Sequence, residues 1–221
     1  MPEGLLSING NSVQTLEILF LTTMVTLLPS LLVMMTSFTR YIIVFSFLRS
    51  ALGTQQTPPN IVLIGIALFL TLFTMAPVFT QIQTTAYAPY VAEEIDQTEF
   101  LERAQVPIKD FMLRQTEPSS VNMYCDLAEV ERPANAAAAK DLPLRVVVAS
   151  FMTSELKRAF EIGFYLYIPF MLIDIVVSST LMSMGMIMLP PSMISTPFKL
   201  LLFITLNGWE LLFSTLVQGF H

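Results

Sequence analysis

Four methionines occupy alternate positions, Met182, Met184, Met186 and Met188, around Gly185 and just before Pro190-Pro191. Thioethers are soft ligands that suit copper(I), so four together first raise metal chemistry. No histidine or cysteine accompanies them: the single cysteine is Cys125 and the single histidine, His221, is the last residue. The metal reading is weak and no cofactor is expected. The plainest alternative treats the methionines as core filler, since Met adapts to irregular gaps. The other residues able to do chemistry are ionisable groups set in apolar runs, namely Glu161, Asp174, Lys199 and Glu210. A charge at the centre of a bilayer costs at least about 2.5–3.5 kcal/mol. Such groups either line an ion path, as in a carrier using Asp174 and Glu210, or pair where helices pack against protein. No phosphate loop of the form G-x-x-x-x-G-K-[ST] occurs, so ATP hydrolysis has no support. No catalytic residue emerges, and the chain is not expected to be an enzyme.

The elements that carry these residues are apolar. Of the 221 residues 54% are hydrophobic and 13% charged, against about 25% charged in soluble domains. With a mean hydropathy of +0.66, the chain falls in the membrane or membrane-complex class. The net charge of −6 argues against nucleic acid, which calls for a basic face. Residues 18–39 form an uncharged run long enough to span a hydrocarbon core of about 30 Å, with a kink expected at Pro29. Residues 41–48 and 61–79 are also apolar, separated by the breaker GTQQTPPN. From residue 81 acidic residues and prolines become frequent, and the apolar positions become sparse and amphipathic, as in EFLERAQVPIKDFMLRQ. A long apolar stretch then runs to Pro190-Pro191, and a last one ends the chain.

The expected architecture is all-α. An N-terminal segment (1–15) leads into a first apolar hairpin (16–80), a polar, solvent-exposed insert of short helices (81–145) and a second hairpin (146–221). Each hairpin turns at a Pro-Pro pair, since proline suits the first turn of a helix. Arg40 and Arg49 place the first turn on the cytoplasmic side and the insert outside. Lys199 agrees with that orientation, whereas Arg145, Lys157 and Arg158 oppose it. The two hairpins differ in charge, unlike the matched repeats of carriers, which favours the packing reading of the charges. Asp174 lies sixteen residues before Pro190 and Lys199 eight after Pro191. On straight helices their depths differ by roughly 12 Å, so a direct pair is not expected. Glu155 is then a candidate acid for Lys199, or else an exposed partner of Lys157 or Arg158.

The stretches MTSFTRYIIVFSFLRSALGTQQTPPN, FLTLFTMAPVF, ASFMTSELKRAFEIGFYLYIPFMLIDIVVSSTLMSMGMIMLPP and PFKLLLF…GWELL resemble the FliP family of flagellar type III export-gate proteins, whose virulence counterparts are close relatives. The resemblance runs from about residue 11 to 220. It implies a ring-forming homo-oligomer, with a pentamer expected, built with FliQ and FliR beside FlhB and FlhA. Unfolded protein substrates thread through its centre. The assembly sits in the bacterial inner membrane at the flagellar basal body, largely raised out of the membrane plane. The loop matching Met186, Ile187 and Met188, with Met182 and Met184 alongside, implies a gasket that closes the pore. The family's intersubunit ion pair maps onto Glu155 and Lys199. Family members often begin with a cleaved signal peptide, and none is visible in residues 1–17.

Overall fold

The computed structural model describes residues 6–8, 11–13, 19, 22–23, 25–27, 30, 33–54, 56–186 and 188–220. Pro29, where a kink is expected, lies outside these residues. A short antiparallel pair, β1 (Leu6–Ile8) and β2 (Asn11–Val13), precedes the helices. The alternation of apolar residues gave no sign of it, because three-residue strands are too short to show a period. Every later element is helical, so the all-α architecture holds.

Helix α1 (Phe38–Leu52) buries Tyr41, Val44, Phe45, Leu48 and Leu52, the three-and-four spacing of one helical face. Gly53 ends it in the left-handed region, with φ of 75°, which glycine enters without steric penalty. After the turn, α2 (Asn60–Ile82), a π-helical turn (Gln83–Tyr87) and α3 (Ala88–Val91) make one rod over Asn60–Val91. The acidic segment turns back through α4 (Gln97–Gln115) and α5 (Pro118–Leu127), and a 3₁₀ turn (Ala138–Asp141) leads out of it.

Helix α6 (Leu144–Ser183) has 40 residues and is about 60 Å long at 1.5 Å per residue. That is twice the length needed to cross a hydrocarbon core of about 30 Å. Its two halves do different work. The first half buries Val146, Val147, Ser150, Phe151, Ser154 and Glu155, and part of that face meets the insert. The insert is therefore less exposed than its sequence suggests, with Phe111, Met112, Val121 and Cys125 in the common core. The Glu117 N–H donates to Ser154 Oγ at 3.0 Å, and Lys157 Nζ donates to the Glu117 carboxylate at 2.8 and 3.0 Å. The hydrogen bond from Lys157 holds the Glu117 carboxyl below the usual carboxylate range. Two of the cations that disagreed with the charge rule are thus engaged by the insert: Lys157 through Glu117, and Arg158 through Gln115 Oε1 at 3.1 Å.

The second half of α6 leaves Phe164, Tyr165, Leu172, Ile175 and Val176 more than half exposed. The rods Asn60–Val91 and Leu144–Ser183 are long and apolar enough to cross a membrane. The return limb, read as one run in the sequence, is broken. Helices α7 (Pro191–Thr205) and α8 (Gly208–Gln218) meet at 63°, across Asn207 with φ of 48°.

α1 packs chiefly along α6, and Gly163 permits their close approach. A Cβ built at Gly163 would lie 2.5 Å from Phe47 Cγ and 3.0 Å from its Cβ. A rotamer change can move the Phe47 Cγ away, but its Cβ is fixed by the backbone, so the helices must also shift. Gly163→Ala should therefore lower stability by about 1–3 kcal/mol, measured by thermal unfolding in detergent, although alanine is the better helix former.

Candidate functional site: a methionine tip above a chain of buried charges

The loop between α6 and α7 is built by a helix-ending motif. The Met186 N–H donates to Leu181 O at 3.0 Å, and the Gly185 N–H donates to Met182 O at 3.0 Å. This crossed pair is the Schellman arrangement, which needs a left-handed residue just past the helix. Gly185 supplies it with φ of 76°, and among the described residues no atom beyond its chain neighbours lies within 4 Å of where its Cβ would be. The glycine serves the backbone, then, and not a close contact. Met182 lies in the last turn of the helix, Met184 is the first residue past it, and Met186 and Met188 lie in the loop. The four therefore straddle the helix end and the loop. All four are nevertheless exposed, from 48% at Met186 to 97% at Met188. Core filler is buried, and these side chains are not. Ile187, the middle gasket residue, lies outside the described residues.

Beneath the tip, Lys199 Nζ donates to Asp174 Oδ2 at 2.7 Å and to the Ala51 carbonyl at 3.0 Å. Ser195 Oγ donates to Asp174 Oδ1 at 2.7 Å. The depth comparison that excluded this pair assumed helix up to Pro190. The helix stops at Ser183, and residues 184–190 cross the tip without adding depth. Asp174 is nine residues from the end of α6 and Lys199 eight from the start of α7. Their levels differ by one residue, about 1.5 Å. Lys199 thereby joins three helices, because Ala51 belongs to the last turn of α1.

Glu155 is fully buried and takes a two-pronged bond from Arg40. Arg40 Nε reaches Oε2 at 2.8 Å, and Nη2 bonds Oε1. Arg40 further donates to the Gly219 carbonyl at 3.1 Å and to Gln115 Oε1 at 3.3 Å. Glu155 and Lys199 therefore do not meet within the chain, and each is already satisfied there. The sequence reading missed Arg40, Gln115 and Ser195. Arg40 served only as a marker of topology, although a lone cation inside the apolar run 31–48 was itself a sign of a buried partner. Glu210 is exposed in the first turn of α8, where a carboxylate complements the helix dipole. Asp174 is committed to Lys199 and Ser195, so the two carboxylates that a carrier would use form no common site in this chain.

A long apolar hairpin with a methionine-bearing loop at its tip is what the sequence resemblance leads one to expect. The model of the FliP family matches residues 21–216. The chain belongs to the FliP family. It is 47% identical over 212 residues to the flagellar biosynthetic protein FliP of Aquifex aeolicus (strain VF5), covering 96% of this chain and 88% of that one. The FliP of Pectobacterium carotovorum subsp. carotovorum is 49% identical over 210 residues, 95% of this chain and 79% of its own. That of Bacillus subtilis (strain 168) is 47% identical over 210 residues, 95% and 94% of the two chains. In this FliP-family chain the Asp174 cluster makes a graded expectation. Asp174→Asn keeps one acceptor oxygen for Lys199 and offers its amide N–H to Ser195 Oγ, so it should cost less than removal of the side chain. Asp174→Ala strands a buried ammonium and should cost about 3–5 kcal/mol. Denaturant unfolding of the two variants checks the ordering.

Proposed function

We propose that this chain is a core subunit of the flagellar type III secretion export gate and not an enzyme. It forms a ring of copies of itself, a pentamer, with FliQ and FliR, next to FlhB and FlhA. Unfolded flagellar proteins pass through the ring across the bacterial inner membrane, at the base of the flagellum, with the insert on the periplasmic side. Family membership supports the setting, and the exposed methionine tip carries the mechanism.

Four large apolar side chains held in the open at the end of a 40-residue helix are costly in water, at about 25 cal/mol per Å² of apolar surface. A ring of such tips would bury them against one another around a central axis. Methionine is unbranched, with three rotatable bonds and a polarizable sulfur, so it conforms to irregular shapes. A methionine collar closes on itself when empty and yields to a chain of any sequence. β-branched residues, stiff at χ1, would do this poorly. The glycine cap lets the collar residues leave the helix at a fixed point while their side chains remain adaptable.

Two measurements test this reading. Co-expressed with FliQ and FliR, the detergent-solubilised chain should run in native mass spectrometry as a multimeric particle, and a monomer would contradict the gate. Replacing Met186, Ile187 and Met188 with alanine should leave that particle intact and make cells leak small ions. A variant complex as tight as the parent would leave the methionines without a sealing role.

A further inference from the structure

The residues after α8 make contacts out of proportion to their number. The Gly219 carbonyl accepts from Arg40 Nη1 at 3.1 Å, and the Phe220 carbonyl accepts from Gln115 Nε2 at 3.1 Å. The Phe220 ring lies under the Arg40 guanidinium, whose Cζ is 3.5 Å from the ring centroid. The ring also meets Tyr41 edge-on at 5.6 Å and stacks on Phe111 at 6.0 Å. Only 7% of Phe220 is exposed. These partners come from α1 (Arg40, Tyr41) and from the insert helix α4 (Phe111, Gln115). The last described residues of the return limb are thus seated in a socket that the insert helps to build.

The helix leading to that socket is seated along one face, where Leu212 and Leu216 are buried and Phe213 meets Phe45 edge-on at 5.6 Å. Its start is the 63° bend, where Gly208 packs so closely that an added Cβ would lie 2.3 Å from the Phe203 ring. Between α8 and α6 runs an apolar cleft of about 450 Å³, lined among others by Tyr165, Pro169, Phe203, Leu212 and Thr215. Among the described residues, this cleft leaves part of the α6-facing side of α8 uncovered.

We propose that Gly219–Phe220 are a latch that couples the insert to the return limb of the methionine hairpin, with α8 as a strap hinged at Asn207-Gly208. While the latch is seated, α8 and the second half of α4 move as one body. When it leaves the socket, α8 keeps only the contacts of its buried face, and the Arg40 and Gln115 donors lose their carbonyl partners. The coupling runs through a continuous chain of contacts, Phe220 to Gln115 and Arg40, then Arg40 to Glu155. Coupling between two sites is reciprocal: loosening the insert side must loosen α8, and loosening α8 must loosen the insert.

That reciprocity is the test, read by amide hydrogen exchange on the detergent-solubilised full chain. Phe220→Ala should raise exchange by about tenfold in residues 208–218 and also in 111–116, the shift in local opening set by losing about one buried interaction. Gln115→Ala, on the opposite side, should raise exchange in the same two segments by a similar factor. Phe220→Tyr keeps a ring under the guanidinium and should leave both segments protected. If each substitution deprotects only its own side, no latch couples them and the proposal is overturned. Should Phe220→Ala fail to fold, the Gln115→Ala arm decides, because unchanged exchange in 208–218 overturns the proposal by itself.

Discussion

A carboxylate with no exposed surface must be paired, because an isolated charge in the interior costs far more than any single packing contact returns. Glu155 is such a group, and Arg40 is its partner. Everything near this pair is arranged to complete it. Gln115 brings the insert to the guanidinium, Gly219 brings a backbone carbonyl, and Phe220 brings an aromatic face. The two-pronged geometry suits arginine, whose planar donors match a carboxylate in a way that lysine's do not. The pair therefore fixes the mutual position of four stretches distant in sequence, namely α1, α4, α6 and the end of the return limb.

The second cluster does at the other end of the hairpin what the first does at the insert. Lys199 joins Asp174 on α6 to the last turn of α1, and Ser195 takes the remaining carboxylate oxygen. Between the clusters α1 and α6 pack through apolar side chains and the Gly163 contact. Arg40, Glu155, Asp174 and Lys199 are thus internal fasteners below the methionine tip, which itself carries no charge, whereas Glu161 and Glu210 are exposed. The same helices leave broad apolar faces open, which suits a subunit that meets membrane or other subunits on most sides.

The helical class and the long apolar helices were legible in the sequence, because hydropathy and turn residues report them locally. The pairings were not. Asp174 and Lys199 were held apart by an assumption of unbroken helix to Pro190, and the Gly185 cap, a local signal, was enough to overturn it. Arg40 and Glu155 are 115 positions apart, and no local pattern links them. The break at Asn207-Gly208 was written in the sequence as an Asn-Gly dipeptide, a strong turn signal, masked by the apolar residues on both sides. The insert looked exposed because its burial depends on the first half of α6, which the same sequence pattern assigns to a different hairpin.

The account holds that the Arg40–Glu155 pair is a buried fastener whose halves are harmful alone and tolerable only together. Replacing each with methionine, singly and together, measures this directly by denaturant unfolding of the detergent-solubilised chain. Each single variant should lose about 3–5 kcal/mol by stranding the opposite charge, and the double variant should recover more than half of that loss. Losses that simply add in the double variant would show that the two charges do not depend on one another, and would contradict the account.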